Sequence, residues 1–477
     1  MSELNPNQRA VQNCLSLRGN SVGIKRRFGL ACLSMMPLLL ASTAVQAIAT
    51  APAIEATALL SAKDSDPNTL GWMQGFPPPP DKRLKVSDGS FFAFPALRYS
   101  VVNMRQFLPT VGVPHGIKES QPLPKTTDKM VSNAISQLEF TPTDGSKPMR
   151  FVDSLWHNYT DGIVILHKGQ IVYEDYFAAL TADKQHAAMS VTKSFTGTLA
   201  AILVAEGVLD DSKKVSEYVP ELSDSAFGDA TVRQVMDMTT GLKYSEDYAD
   251  PEAEIWAYSA AGNPLPKPKD YTGPVGYFEY LKQVKKQGEH GEAFGYKTIN
   301  SDALGWIIAK VTNKSVAELL SEKIWQRIGM EQDAYYQVDE LGIPFAGGGL
   351  SAGLRDMARF GELIRNQGLW QGEQIIPAAA IKDIQQGGDV NAFAKAGYRN
   401  LEGWSYRDMW WVTHNKNGAF AARGVHGQTI YIDPAAEMVL VRFASHPVAG
   451  NGANDATSLP AYQAVADYLM KQSATQP

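Results

Sequence analysis

The stretch 189-MSVTKSFTGTLAAILVAEG-207 decides how the rest of the chain reads. Its apolar residues, Val191, Phe195, Leu199, Ile202, Leu203 and Val204, fall on nearly every face of a helix, the pattern of a buried helix. Gly207 is a natural C-terminal stop. A helix starting near Ser190 puts that hydroxyl at the positive end of the dipole, beside free backbone N–H groups. Lys193, three residues on, lies on the same face. A serine becomes a nucleophile when a base takes its proton, and a neutral lysine can be that base. Burial at an apolar helix start disfavours the ammonium form and lowers a free pKa of about 10.4. The plainer reading is a serine N-cap with its lysine in solvent; the apolar helix behind it argues against a surface element.

Upstream, GIVILHKGQIVYEDYF holds two β-rich runs around Lys168-Gly169, a hairpin pattern. Downstream, from Thr231 to about Ile384, periodic segments such as YKTINSDALGWIIAKVTN and LRDMARFGELIRNQG read as helices. After Gly403 the chain returns to strands: WSYRDMWWVTH, a turn at residues 415–418, FAARGVHGQTIYIDP and EMVLVRFAS, then a last helix, LPAYQAVADYLMKQ. Strands at both ends around a helical insertion predict an α+β protein, an α/β/α sandwich. Its antiparallel sheet would be built from N- and C-terminal parts, with helices on both faces. The expected organisation is a signal peptide at 1–47, a disordered start at 48–67, an extended arm at 68–150 and a main domain at 151–475. The helical insert would span about 210–385.

The leader reading rests on Lys25-Arg26-Arg27 before FGLACLSMMPLLLASTAVQA, an apolar run too short to span a membrane and followed by small residues. Cleavage near Ala47 or Ala49 would give a periplasmic or secreted protein of the bacterial envelope with no stable membrane anchor. Both cysteines, Cys14 and Cys32, lie in the leader, so thiol and disulfide chemistry are not expected afterwards. The formal charge of −6 argues against nucleic acid as a partner. No histidine pair falls at i, i+4 with a carboxylate, so neither metal nor cofactor is expected. The remaining partner is a small-molecule substrate. Gly349-Leu350-Ser351-Ala352-Gly353 fits a nucleophile elbow, but no hydrophobic strand precedes it and the chain around it does not alternate strand and helix. Ser351 is read instead as the cap of the following helix.

With this order, the chain resembles the serine β-lactamase and penicillin-recognising hydrolase superfamily, nearest to class C β-lactamase-related esterases and 6-aminohexanoate-dimer hydrolases. The motifs are Ser190-Val191-Thr192-Lys193, then Tyr296-Lys297-Thr298 with Gly305 at the family's spacing, then Val425-His426-Gly427. The resemblance implies Ser190 as nucleophile, Lys193 as base and Tyr296 as proton relay. It implies oxyanion and substrate contacts from Gln428, Gly427, His426, Tyr248 and Thr298, the amide of Gln428 pairing with that of Ser190. Thr298 stands where the family usually has asparagine, and Val425 where it has lysine. His426 is either a polar contact in the site or a strand histidine turned outward. Asp247, Asp250 and Glu252 are candidate readers of an amine. The implied activity is amide or ester hydrolysis through an acyl-enzyme. The alternatives are a β-lactamase or D-alanyl-peptide carboxypeptidase, and a non-catalytic module of penicillin-binding type.

Overall fold

The computed structural model describes residues 59–475, apart from 118, 127, 248 and 249. The leader reading and Tyr248 therefore lie outside the described residues. In chain order the principal elements are β1 (Thr110–Val113), α1 (Lys129–Gln137), α2 (Phe151–His157), β2 (Thr160–His167), β3 (Gln170–Tyr176), β4 (Gln185–Ala187), α3 (Val191–Ala205) and α4 (Ile299–Thr312). They continue as β5 (Ala334–Gln337), β6 (Leu350–Gly353), α5 (Leu354–Arg365), β7 (Ser405–Arg407), β8 (Trp410–Val412), β9 (Phe420–Gly424), β10 (Gln428–Asp433), β11 (Met438–Ala444) and α6 (Gly452–Thr475).

The main sheet has seven strands in the order β7-β8-β9-β10-β11-β2-β3, every neighbour antiparallel. The last strand of the chain thus zips onto the first of the hairpin, with Leu440 opposite Ile165 and Val441 opposite Val164. The GIVIL run is apolar throughout because both faces are covered. Ile163 and Ile165 face a core with Val465 and Leu469 of α6, while Val164 and Leu166 share the larger core with Leu199 of α3 and Phe360 of α5. This is the expected sandwich. Lys168 and Gly169 both take positive φ (52° and 78°), the primed turn that matches the twist of the hairpin.

A second sheet, β1-β5-β6-β4, joins the arm to the body of the protein. Residues 68–150 are therefore not merely extended: β1 pairs with β5, and α1 packs beside α2. Nor are residues 59–67 loose. Ala62 and Ser65 are buried because the guanidinium of Arg98, itself buried, takes Ala62 O and Ser65 Oγ while pairing with Asp161. A buried guanidinium is tolerated only when its donors are used, and these contacts use them. The helical insert also contributes strands, β5 and β6, which form the middle of the second sheet.

Two local details anchor α3. A β-carbon at Gly197, in the middle of α3, would collide with the carbonyl oxygen of Asp408, so only glycine lets the helix lie against the β7–β8 turn. Arg233, from the insert, pairs with Asp211, Asp237, Asp383 and Asp408, clamping the insert to that same turn. Pro460 inside α6 lacks the N–H that would bond Ala456 O, and Thr143 N of the arm takes that carbonyl at 2.9 Å. Among the described residues no helix is long and apolar enough to cross a membrane.

Candidate active site

Ser190 occupies the N-cap of α3 but makes no side-chain cap bond. The hydroxyl is thus free of the structural duty that the plainer reading assigns it. Met189, just before it, is held at φ 48°, an unfavourable backbone region that recurs at functional turns. Thr192 supports the turn by donating to Met189 O at 2.6 Å.

Lys193 lies one turn on, 1 % exposed, with Nζ 3.0 Å from Ser190 Oγ. Its second partner is the carbonyl of Gly347, at 2.6 Å. Burial pushes the ammonium pKa down to about 8, against the opposing pull of Glu246 and Asp302. An amine so placed keeps a minor neutral fraction near physiological pH, far larger than an exposed lysine would, and that form can accept the hydroxyl proton. Asp302 is fully buried, and burial pushes its carboxyl up to about 7. The carboxyl of Glu246 is likewise raised by burial, while its neighbours Lys193 and Thr298 oppose the rise.

Tyr296 precedes α4 and stands beside the pair, with Lys193 Nζ 5.1 Å from its ring centroid. Its ring stacks on Trp411 of β8, centroids 5.5 Å apart. Thr298 is the N-cap of α4, and its N–H donates to Glu246. A β-carbon at Gly347 would fall 2.5 Å from the Thr298 methyl, so the face of Thr298 turned to this loop is apolar. Asn300 accepts from Thr240 Oγ1 at 2.8 Å and belongs to the framework.

The third motif sits differently from its sequence assignment. β9 ends at Gly424, whose added β-carbon would lie 2.9 Å from Ser190 N and 2.8 Å from Ala188 O. Gly424 is therefore the glycine of close approach. Gly427 closes a three-residue turn at Val425–Gly427, with φ 98°, and its carbonyl accepts from Arg442 Nε at 3.0 Å. Gln428 begins β10, and its side-chain amide is spent on Val425 O and on both backbone groups of Ala444. The assignment of the close-approach glycine to Gly427 is corrected to Gly424. The residue that follows directly on this approach is Val425, not Gln428. His426 is buried: Nδ1 donates to His446 O at 2.7 Å, and Phe92 of the arm packs edge-on against its ring. Burial drives its pKa down to about 4, so the imidazole is neutral. It is not turned outward to solvent, and its ring hydrogen-bonds His446 O rather than Ser190 or Lys193.

Asp247, Asp250 and Glu252 are exposed on their loop, and Tyr248 lies outside the described residues. The acid that the loop turns inward is Glu246, missed in the sequence because it sits in an acidic run. Ser351 is fully buried within β6, opposite Ala187 and Tyr335, and the N-cap of α5 is Gly353, not a serine. Neither the elbow nor the cap reading of Ser351 survives. The triple glycine 347–349 before it has a different use, bringing Gly347 O onto Lys193; that run was its only sequence signal.

The Beta-lactamase family model matches residues 150–461. A curated relative, the 6-aminohexanoate-dimer hydrolase of Paenarthrobacter ureafaciens, is 35% identical over 291 residues, which cover 60% of this chain and 73% of that protein. A solved structure, "Putative 6-aminohexanoate-dimer hydrolase from Bacillus anthracis", superposes with a TM-score of 0.73 at 33% identity, covering 82% of this chain and 99% of that one. The hydrolase EstCE1, with promiscuous acyltransferase activity, shares the fold at a TM-score of 0.52 and 16% identity, over 67% of this chain and 98% of its own. A half-buried serine beside an enclosed lysine on one helix and a family match over most of the described chain agree: the protein belongs to the β-lactamase family of serine hydrolases.

Proposed function

We propose that the protein hydrolyses a linear amide or ester through an acyl-enzyme on Ser190. The observation that carries this reading is the 3.0 Å contact between Ser190 Oγ and an enclosed lysine amine. Ser190 Oγ attacks the substrate carbonyl and its proton passes to neutral Lys193 Nζ. The N–H groups of Ser190 and Val425 take the oxyanion, Val425 following directly on the glycine that abuts Ser190. Tyr296 passes a proton to the departing amine or alcohol. Water then attacks the acyl-enzyme by the same steps in reverse, returning the proton to Ser190.

Substrate class follows from charge. With Gly424 as the glycine of the third motif, the position the family usually gives to lysine falls on Ala422, and the nearby His426 is neutral. A substrate carboxylate brought there loses water without a cationic partner, forgoing a contact worth roughly 1.5–3 kcal/mol. The site therefore favours acyl groups ending in a neutral or amine-bearing group, and the acidic loop at 246–252 suits an amine. Two of the relatives carry 6-aminohexanoate-dimer hydrolase in their names, which is the same class of substrate. We assign the mature chain to the bacterial envelope; exported protein beginning after Ala47 or Ala49 supports this, and exported protein beginning at Met1 refutes it.

The test is kinetic. Ser190→Ala and Lys193→Ala should each abolish turnover of p-nitrophenyl butyrate and of a linear ω-amino amide, and the double variant should be scarcely worse, because the two act as a unit. Turnover retained in Ser190→Ala refutes the reading.

A further inference from the structure

Lys193 has to be aimed as well as neutral. Ser190 lies on its own helix, so the contact that fixes the amine from outside is the carbonyl of Gly347. That carbonyl stands in the loop 345–349, and the loop is tied at Ala346 on both sides. Thr196 Oγ1, from α3, donates to Ala346 O at 2.9 Å. Ala346 N donates to Asp302 Oδ1 at 3.1 Å, and Tyr258 OH donates to Asp302 Oδ2. Asp302 is fully buried on the first turn of α4. A carboxylate there costs several kcal/mol of desolvation that a packed apolar side chain would avoid, so its retention calls for a use.

We propose that Asp302 is a positioning residue for the catalytic lysine: by holding the Ala346 N–H it seats the Gly347 carbonyl on Lys193 Nζ and so aims the amine at Ser190. This rests on the Ser190–Lys193 reading above. The groups facing Asp302 are Lys193, Tyr258, Tyr277 and Asp339; those facing Lys193 are Ser190, Tyr296, Glu246 and Asp302.

The experiment compares Asp302→Asn with Asp302→Ala in the full chain, reading kcat, KM, Tm and the pH profile with p-nitrophenyl butyrate. Asparagine keeps an acceptor for Ala346 N–H, and the Tyr258 hydroxyl can turn to accept from its amide. Asp302→Asn should hold kcat within about threefold of wild type, with the acid limb moved to lower pH because Lys193 loses an anionic neighbour. Asp302→Ala should lose at least about tenfold in kcat with KM within about twofold, the cost of a misaimed base. A folded Asp302→Ala with wild-type kcat, or equal losses in both variants, overturns the proposal. If the alanine variant does not fold, Thr196→Val removes the other tether of Ala346 and should lower kcat about threefold or more at unchanged KM; wild-type kcat there overturns it. Activity surviving in Lys193→Ala would instead refute the underlying reading, whatever the Asp302 variants do.

Discussion

Gly424 and Ser190 touch: a β-carbon on Gly424 would stand 2.9 Å from the serine amide nitrogen and 3.1 Å from that of Val191. The end of β9 and the start of α3 are thus pressed together with no room for a methyl group, which puts the strand end within reach of the same carbonyl that Ser190 would attack.

That contact makes Gly424→Ala a sharp probe. Overpacking of this kind costs about 1–3 kcal/mol, and the backbone has to move at the nucleophile. The expected loss in kcat is on the order of 10²-fold, from misplacement of the serine and of the amide after it, with a drop in Tm of only a few degrees. Wild-type kcat in a folded Gly424→Ala would show that the strand end does not help to build the site.

The titration of Lys193 predicts the pH profile. Burial lowers its pKa to about 8, and the neutral form is the active one. Activity should therefore rise with pH, with an acid limb of kcat/KM centred near 8 and blurred by the neighbouring Asp302, raised to about 7. Replacing Glu246 with glutamine removes a carboxylate that raises the lysine pKa, so the limb should shift to lower pH. A flat profile between pH 6 and 9, or a limb that moves to higher pH in Glu246→Gln, contradicts the assignment of the base.

Selectivity should follow the missing cation of the third motif. Wild type should prefer p-nitrophenyl butyrate to a cephalosporin in kcat/KM, and Ala422→Lys should narrow the gap by adding a donor for the substrate carboxylate. A wild-type enzyme that prefers the cephalosporin contradicts the substrate class. So does a lysine variant that gains on no carboxylate substrate while keeping its esterase rate.

Much of this was legible in the sequence because the signals were local. The apolar helix behind Ser190, the two β-rich runs around Lys168-Gly169 and the Ser190–Lys193 spacing each need only a few neighbouring residues. What was not legible depends on contacts across the fold. Gly424 and Gly427 look equivalent on paper; only the turn at Val425–Gly427 shows that the first meets Ser190 and the second meets Arg442. Glu246 and Asp302 are ordinary acids until the fold encloses them around Lys193. Arg98 makes the same point for the arm, since one guanidinium from residue 98 orders residues 62 and 65 against Asp161.

The central claim, that Ser190 is a nucleophile activated by Lys193, is tested most directly by covalent labelling. The intact protein is treated with a fluorophosphonate and the modified peptide is located by mass spectrometry. The account predicts a single adduct on Ser190, absent in Ser190→Ala and formed far more slowly in Lys193→Ala. An adduct on Ser351, or labelling of Ser190 at an undiminished rate without Lys193, would contradict it.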